Sequence, residues 1–305
     1  MKRNSLALFV MLSRPVLLLG GIGLTFLGAG IARYLGNSTN WNLFWLGLFW
    51  MVLVQLSAHY LNEYFDAPID QFNENRTIFS GGSGAVGPGE DKLRRRTALS
   101  AFVGATSLAA ALVLIMLWTQ RISPTVGILM LLIYLGGMFY SLPPLQLSRS
   151  GYGEFAAAIV AGYLVPMLSY NLQTGELHRL VALSSLPIVL LLMVFLLAGS
   201  FPDYATDLKY GKRNFLVRAG WQNVVVVHNT LILLAFVVLA ALWFFGFPRA
   251  ILLPTFLTFP LGILQFWQMR LITAGAKPNW RNLTLNAAAL VGMVIYLLSY
   301  FFWTR

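Results

Sequence analysis

Four aspartates and one asparagine stand in two short runs, Asn62-Glu63-Tyr64-Phe65-Asp66-Ala67-Pro68-Ile69-Asp70 and Asp203-Tyr204-Ala205-Thr206-Asp207. Their oxygen-bearing side chains recur at every fourth residue. Residues four apart share a helix face, so Asn62 and Asp66 point the same way, and Asp70 continues the row if the helix survives Pro68. A row of oxygen ligands suits a hard cation such as Mg²⁺, which takes carboxylates, waters and substrate phosphates. Carboxylates gathered at one cavity repel one another, and a divalent cation relieves that cost. Bases flank both runs: Arg76 follows the first, and Lys209, Lys212 and Arg213 surround the second. Carboxylates with Mg²⁺ beside Lys and Arg make a clamp for a diphosphate and stabilise it as a leaving group. The plainer reading pairs these acids with neighbouring bases in solvated loops. It accounts for one run as well as the clamp does, but not for two at matched positions, because ionisable residues at membrane depth are costly.

Each run closes a long apolar stretch, Trp45 to Leu61 and Leu186 to Phe201. The chain is 58% hydrophobic and 10% charged, with a mean hydropathy of +0.72; soluble domains carry about 25% charged residues. The fold class is all-α and polytopic, an integral membrane protein surrounded by the lipid bilayer. Apolar runs predict nine transmembrane helices, at 15–35, 42–64, 98–119, 124–141, 152–172, 182–202, 222–245, 250–270 and 284–303. They form one domain, 1–305, with loops 65–97 and 203–221 carrying the motifs. The lysine-arginine start followed by an apolar run has the outline of a signal peptide, but Arg14 and Pro15 interrupt it, so it reads as a tail plus first span.

With the N-terminus inside, 16 of the 21 basic residues fall on the cytoplasmic side, which puts the N-terminus and both motif loops in the cytoplasm at the inner or plasma membrane. That asymmetry and an anionic substrate account for the net charge of +11 without nucleic acid. Aligning Asp66 with Asp203 also aligns Asp70 with Asp207 and Arg76 with Arg213. The nine spans therefore read as two pseudo-repeated four-helix units plus one, with a site at their interface. The absence of cysteine excludes disulfides and thiolate metal sites.

Weaker signals surround these. Phe79-Ser80-Gly81-Gly82-Ser83-Gly84 is a Gly-rich loop of the kind that wraps phosphate with backbone N–H groups, and equally a plain linker. No Walker A lysine accompanies it. Tyr140, in Tyr140-Ser141-Leu142-Pro143-Pro144, offers an aromatic face to a cation formed during reaction, or is a belt tyrosine. His59 reads more readily as a helix–helix histidine than as a ligand, and Arg94 to Arg96 as a membrane-surface patch. His178 and His228 belong to no constellation.

Together these residues resemble the UbiA-type intramembrane aromatic prenyltransferases over nearly the whole chain. The likeness rests on the span count, Asn62-x3-Asp66-x3-Asp70 after the second span, Asp203-x3-Asp207 after the sixth, and Tyr140-Ser141-Leu142-Pro143-Pro144 between them. Members are nine-helix membrane proteins that ionise a polyprenyl diphosphate with Mg²⁺ and join the prenyl cation to an acceptor. Within the family, Asn75-Arg76-Thr77-Ile78-Phe79-Ser80-Gly81-Gly82, Phe201 to Asp207, and Gly211-Lys212-Arg213 look most like the 1,4-dihydroxy-2-naphthoate enzymes of menaquinone synthesis. The resemblance implies two Mg²⁺ ions, with Asn62, Asp66, Asp70, Asp203 and Asp207 as metal–diphosphate residues. It makes Arg76, Lys209, Lys212 and Arg213 diphosphate contacts, sets Tyr140 near the acceptor or the allyl cation, and puts Arg14 where the family often has an Arg-Pro pair. Glu63 departs from the family's Asn-Asp-x-x-Asp, keeping the charge but lying off the ligand row. Acceptors such as 4-hydroxybenzoate, homogentisate or a glycerol phosphate lipid stay open, as does a rival class, a cation-coupled transporter.

Overall fold

The computed structural model describes residues 5–85, 91–120 and 122–305. Lys2, Arg3 and Arg121, counted above for orientation, lie outside the described residues, as do the side chains of Lys92 and Arg94. Every regular element among the described residues is helical. The long ones are α1 (Pro15–Tyr34), α2 (Trp41–Asp70), α3 (Asp91–Gln120), α4 (Pro124–Phe139), α5 (Gly153–Thr174), α6 (Arg179–Lys209), α7 (Trp221–Leu242), α8 (Arg249–Thr273) and α9 (Trp280–Thr304). Among them 8 are long and apolar enough to cross a membrane, and α4 is apolar but shorter.

The acidic runs are not in loops. The sequence reading gave them to loops 65–97 and 203–221; instead α2 and α6 run on and carry Asp66, Asp70, Asp203 and Asp207 in their last turns. With 30 and 31 residues, these helices are roughly 45 Å long at 1.5 Å per residue, against a hydrocarbon core of about 30 Å. Each is therefore roughly 15 Å longer than that layer is thick.

Asn40 caps the start of α2, its side chain accepting from the Leu43 N–H at 3.1 Å. Pro68 lacks the N–H that would bond the carbonyl four residues earlier. That freed carbonyl, of Tyr64, accepts from Arg95 Nε at 2.9 Å, while the Arg95 guanidinium lies over the Tyr64 ring. The carbonyl that Pro68 frees is thus satisfied by a donor from α3.

α1 is the central strut, packed on α5 and α9, while α2 packs on α3 and α6 on α7 and α9. At Gly28 any Cβ would fall 2.2 Å from the Pro166 carbonyl oxygen, so only glycine lets α1 and α5 approach this closely. Ser169 Oγ donates to the Thr25 carbonyl across the same contact at 2.6 Å. The main apolar core draws buried side chains from all nine long helices. A neutral polar cluster ties the last three helices: Asn286 Nδ2 donates to Gln265 Oε1 at 2.8 Å, and Gln265 Nε2 lies 3.3 Å from His228 Nε2. His228, given no constellation from sequence, is a fully buried interhelical link.

Candidate active site

The two acidic helix ends meet at one cavity, lined by Asn62, Asp66 and Asp70 from α2 and by Asp203 and Asp207 from α6, with Arg14, Tyr140 and Lys212. Eight of the residues expected from sequence therefore converge. Arg76, Lys209 and Arg213 are not among the lining residues. Arg76 instead pins the loop after α2, donating from Nε to the Gly81 carbonyl at 2.6 Å and from its guanidinium to the Asp70 carbonyl at 2.9 Å. Lys209 lies on the exposed face over the Tyr210 ring, and Arg213 is exposed.

Asp66 is the most heavily engaged of the four motif aspartates. Its Oδ2 lies 3.0 Å from Lys212 Nζ and accepts from Asn62 Nδ2 at 2.9 Å, while its Oδ1 accepts from Arg149 at 3.0 Å. Arg149 also donates to the Phe65 carbonyl at 2.8 Å, holding the end of α2. Burial works against the charge on Lys212, yet Asp66, Asp70 and Asp207 around it raise its pKa well above the ordinary value, so the ammonium keeps its proton.

The acids of α6 meet only neutral donors. Asp203 accepts from Asn73 Nδ2 at 2.6 Å and from the Gly81 N–H at 3.1 Å. Asp207 accepts from Asn214 Nδ2 at 2.7 Å. Asn214 also caps the short helix Phe215–Ala219, accepting from the Val217 N–H at 2.9 Å. Among the described residues, the Asp70 carboxylate accepts no hydrogen bond.

The Gly-rich loop is a brace between the two acidic ends. Gly81, Gly82 and Gly84 all have positive φ, a conformation that side chains resist. At Gly82 a Cβ would also stand 2.6 Å from Asp70 Oδ2. The loop's N–H groups serve carboxylates: Gly81 binds Asp203, and Ser83 donates to Glu63 from its N–H at 2.7 Å and its hydroxyl at 2.8 Å. Glu63 stays off the ligand row, buried, and forms an ion pair with Arg14. Burial opposes the Arg14 charge, and Glu63 outweighs it, raising the guanidinium's pKa. Arg14 itself adopts a left-handed backbone at φ 46°, just before Pro15 opens α1. His59 contacts the Ser13 carbonyl at 3.1 Å, a helix–helix link as expected.

The donor set is all oxygen, which fits a hard divalent cation. Among the described residues no three acidic or imidazole side chains converge on one point. An ion here would be held by one or two carboxylates with water and phosphate oxygens, the usual habit of Mg²⁺. Asp70, open to the cavity, and the neutral-donor pair Asp203 and Asp207 are the groups best placed to hold it.

Sequence reasoning missed Asn73, Arg149, Asn214, Ser83 and Glu154 at this site. Glu154 alone carried a signal, being an acid inside the expected fifth span. Asn73 and Arg149 have partners distant in sequence, Asn214 is a helix cap close to Asp207 in the chain, and Ser83 stood within the Gly-rich run without a role of its own.

The profile of the UbiA prenyltransferase family matches residues 21–290. Over 204 residues the chain is 24% identical to the 1,4-dihydroxy-2-naphthoate octaprenyltransferase of Bacillus subtilis (strain 168), covering 67% of this chain and 62% of that protein. The chain thus spans less than two thirds of that relative's length. The structure of a UbiA homolog from Archaeoglobus fulgidus bound to DMAPP and Mg²⁺ superposes with a TM-score of 0.65 at 18% identity, over 97% of this chain and 99% of that one. A digeranylgeranylglyceryl phosphate synthase gives 0.68 at 15% identity, over 98% and 99%. At such identities the likeness to the solved structures is one of fold.

Proposed function

The chain belongs to the UbiA prenyltransferase family, and on that premise we propose that it transfers a polyprenyl group from a polyprenyl diphosphate to an aromatic acceptor, with two Mg²⁺ ions. The observation that carries this reading is the meeting of both acidic helix ends with Arg14 and Lys212 in one cavity. The acids would hold the metal, which when bound would supply positive charge to neutralise the departing diphosphate. Lys212 and Arg14 take the remaining phosphate charge. Tyr140 faces the allyl cation from the cavity wall. An electron-rich ring carbon of the acceptor then attacks, and the apolar helices hold the lipid tail. Arg76 acts by shaping the loop, and Lys209 and Arg213 act, at most, through long-range charge.

The acceptor we favour is 1,4-dihydroxy-2-naphthoate, as in menaquinone synthesis, with the ring carboxylate leaving as CO₂. Its support is the Bacillus relative and the run Asn75 to Gly82. We further propose nine spans, with α4 as the fourth, in two four-helix units plus one. The packing of α2 on α3 and of α6 on α7 supports the repeat. By the positive-inside rule the N-terminus and the site face the cytoplasm. A cation-coupled transporter would carry acids near the bilayer midplane, whereas these stand at helix ends.

The test is turnover by purified protein in nanodiscs, given a polyprenyl diphosphate, Mg²⁺ and a panel of aromatic acceptors. The expected result is a prenylated product with CO₂ release that EDTA abolishes. Turnover that survives EDTA would overturn the metal assignment, and a product from a different acceptor would overturn the acceptor.

A further inference from the structure

A fifth carboxylate lines the same cavity. Glu154 opens α5 and is 6% exposed. Ser200 donates to its Oε1 at 3.3 Å, and the Glu154 and Phe215 N–H groups lie near the carboxylate, but its buried Oε2 has no partner at hydrogen-bond distance among the described residues. None of the ion pairs within 4 Å among the described residues includes it. It is also off both ligand rows, on a third helix. An orphaned carboxylate oxygen at this depth costs free energy unless a donor reaches it. The diphosphate cannot supply one, having like charge and no donor of its own. On the outer side of the same helix start lies an open, mostly apolar cavity of about 540 Å³ walled by Tyr152, Phe155, Met193, Phe215 and Arg218, within the usual range for a small-molecule pocket of roughly 300–1,000 Å³; Glu154 itself lines the acid cavity. The acid-lined cavity measures only about 110 Å³, room for a phosphate head and ions but not for a fused ring.

We propose that Glu154 Oε2 accepts the hydrogen bond of the acceptor's ring hydroxyl, holding the ring toward the apolar cavity with its reactive carbon facing the allyl cation. This rests on the reading of the chain as an aromatic prenyltransferase. The hydrogen bond both orients the ring and pushes electron density into it. A site built to bind a hydroxyl rejects an analogue lacking it, because the site's own polar group is then left unpaired. Specificity for a hydroxylated acceptor therefore resides in α5, apart from the metal motifs of α2 and α6.

The experiment compares wild type with Glu154→Gln, nearly isosteric, in nanodiscs with polyprenyl diphosphate and Mg²⁺. The acceptors are 1,4-dihydroxy-2-naphthoate and its two monomethyl ethers, which keep the ring activated but cannot donate at the blocked position. Wild type is expected to prefer the free hydroxyl at one position by at least about tenfold in kcat/KM, and Glu154→Gln to lower that ratio below about threefold. Mg²⁺-dependent thermal stabilisation by the prenyl diphosphate should be the same in both proteins. An unchanged ratio in Glu154→Gln, or no preference in wild type, overturns the assignment. Loss of the Mg²⁺-dependent stabilisation overturns it in favour of a metal ligand. Absence of any aromatic product from wild type overturns the functional reading, and this inference with it.

Discussion

At the end of α2, Asp66 meets two cations and an amide, whereas at the end of α6 Asp203 and Asp207 meet only neutral donors. Two runs of the same spacing thus differ in their direct partners, although Lys212 also acts on Asp207 through space. The source of each partner explains why. Lys212 follows the α6 motif in sequence but sends its ammonium to Asp66 on α2. Asn73 and Gly81 follow the α2 motif but donate to Asp203 on α6. Each loop serves the other helix, so the motifs are cross-linked through their flanks. At the α2 end Asp66 is paired by the protein, whereas Asp70 and the α6 acids have no ion-pair partner within 4 Å among the described residues.

This contrast can be broken by mutation. The largest effects are expected for Asp66→Ala and Asp203→Ala, each lowering turnover by at least about a thousandfold, the scale of losing a group that stabilises developing charge. Their thermal stabilities should differ. Asp66→Ala strands Lys212 and Arg149 and should cost about 3 kcal/mol, within the range for breaking a buried pair, while Asp203→Ala strands only neutral donors and should cost about 1 kcal/mol. Equal melting shifts would remove the distinction between the two ends.

Lys212→Met comes next. It should raise the KM for prenyl diphosphate by about tenfold or more, the worth of a charge-assisted hydrogen bond, and Arg213→Ala by less than about twofold. A matching effect at Arg213 would return that residue to the diphosphate contacts expected from sequence. A smaller change follows from Glu63→Gln, which weakens the link from Arg14 through Glu63 to the Ser83 loop. It should lower stability by about 2 kcal/mol and slow turnover severalfold, read by thermal denaturation and initial rates. The smallest is Gln265→Leu in the neutral cluster of α7, α8 and α9. It should cost roughly 0.6 kcal/mol, the average for interhelical hydrogen bonds in a membrane, with turnover unaltered. A large loss of turnover there would mean that the cluster is coupled to the acids.

Much of the molecule was legible from residue types alone. Apolar runs marked the helices, since a spanning chain must satisfy its own backbone and so becomes helical wherever it is apolar for long enough. The four-residue spacing marked Asn62, Asp66, Asp70, Asp203 and Asp207, since helical side chains four apart share a face. Lys212 was legible as a base flanking the second acidic run, and Arg14 only through the resemblance to a family that often has an Arg-Pro pair there. The helix ends were misjudged because apolarity stops where backbone hydrogen bonding does not: α2 continues past Pro68, with Arg95 from another helix taking the Tyr64 carbonyl.

The tertiary structure alone decided which bases reach the cavity. Arg76, Lys209, Lys212 and Arg213 are equivalent by composition, and Lys212 is chosen among them because the turn after α6, closed by its N–H on the Asp207 carbonyl at 2.9 Å, aims its side chain across to α2. It also decided that the glycines brace carboxylates and that Glu154 has an oxygen to spare. Spacing along one helix is a local property that the sequence itself determines. Pairing between helices depends on how closely they approach, which here rests on contacts such as Gly28 against Pro166 that no single stretch of sequence contains.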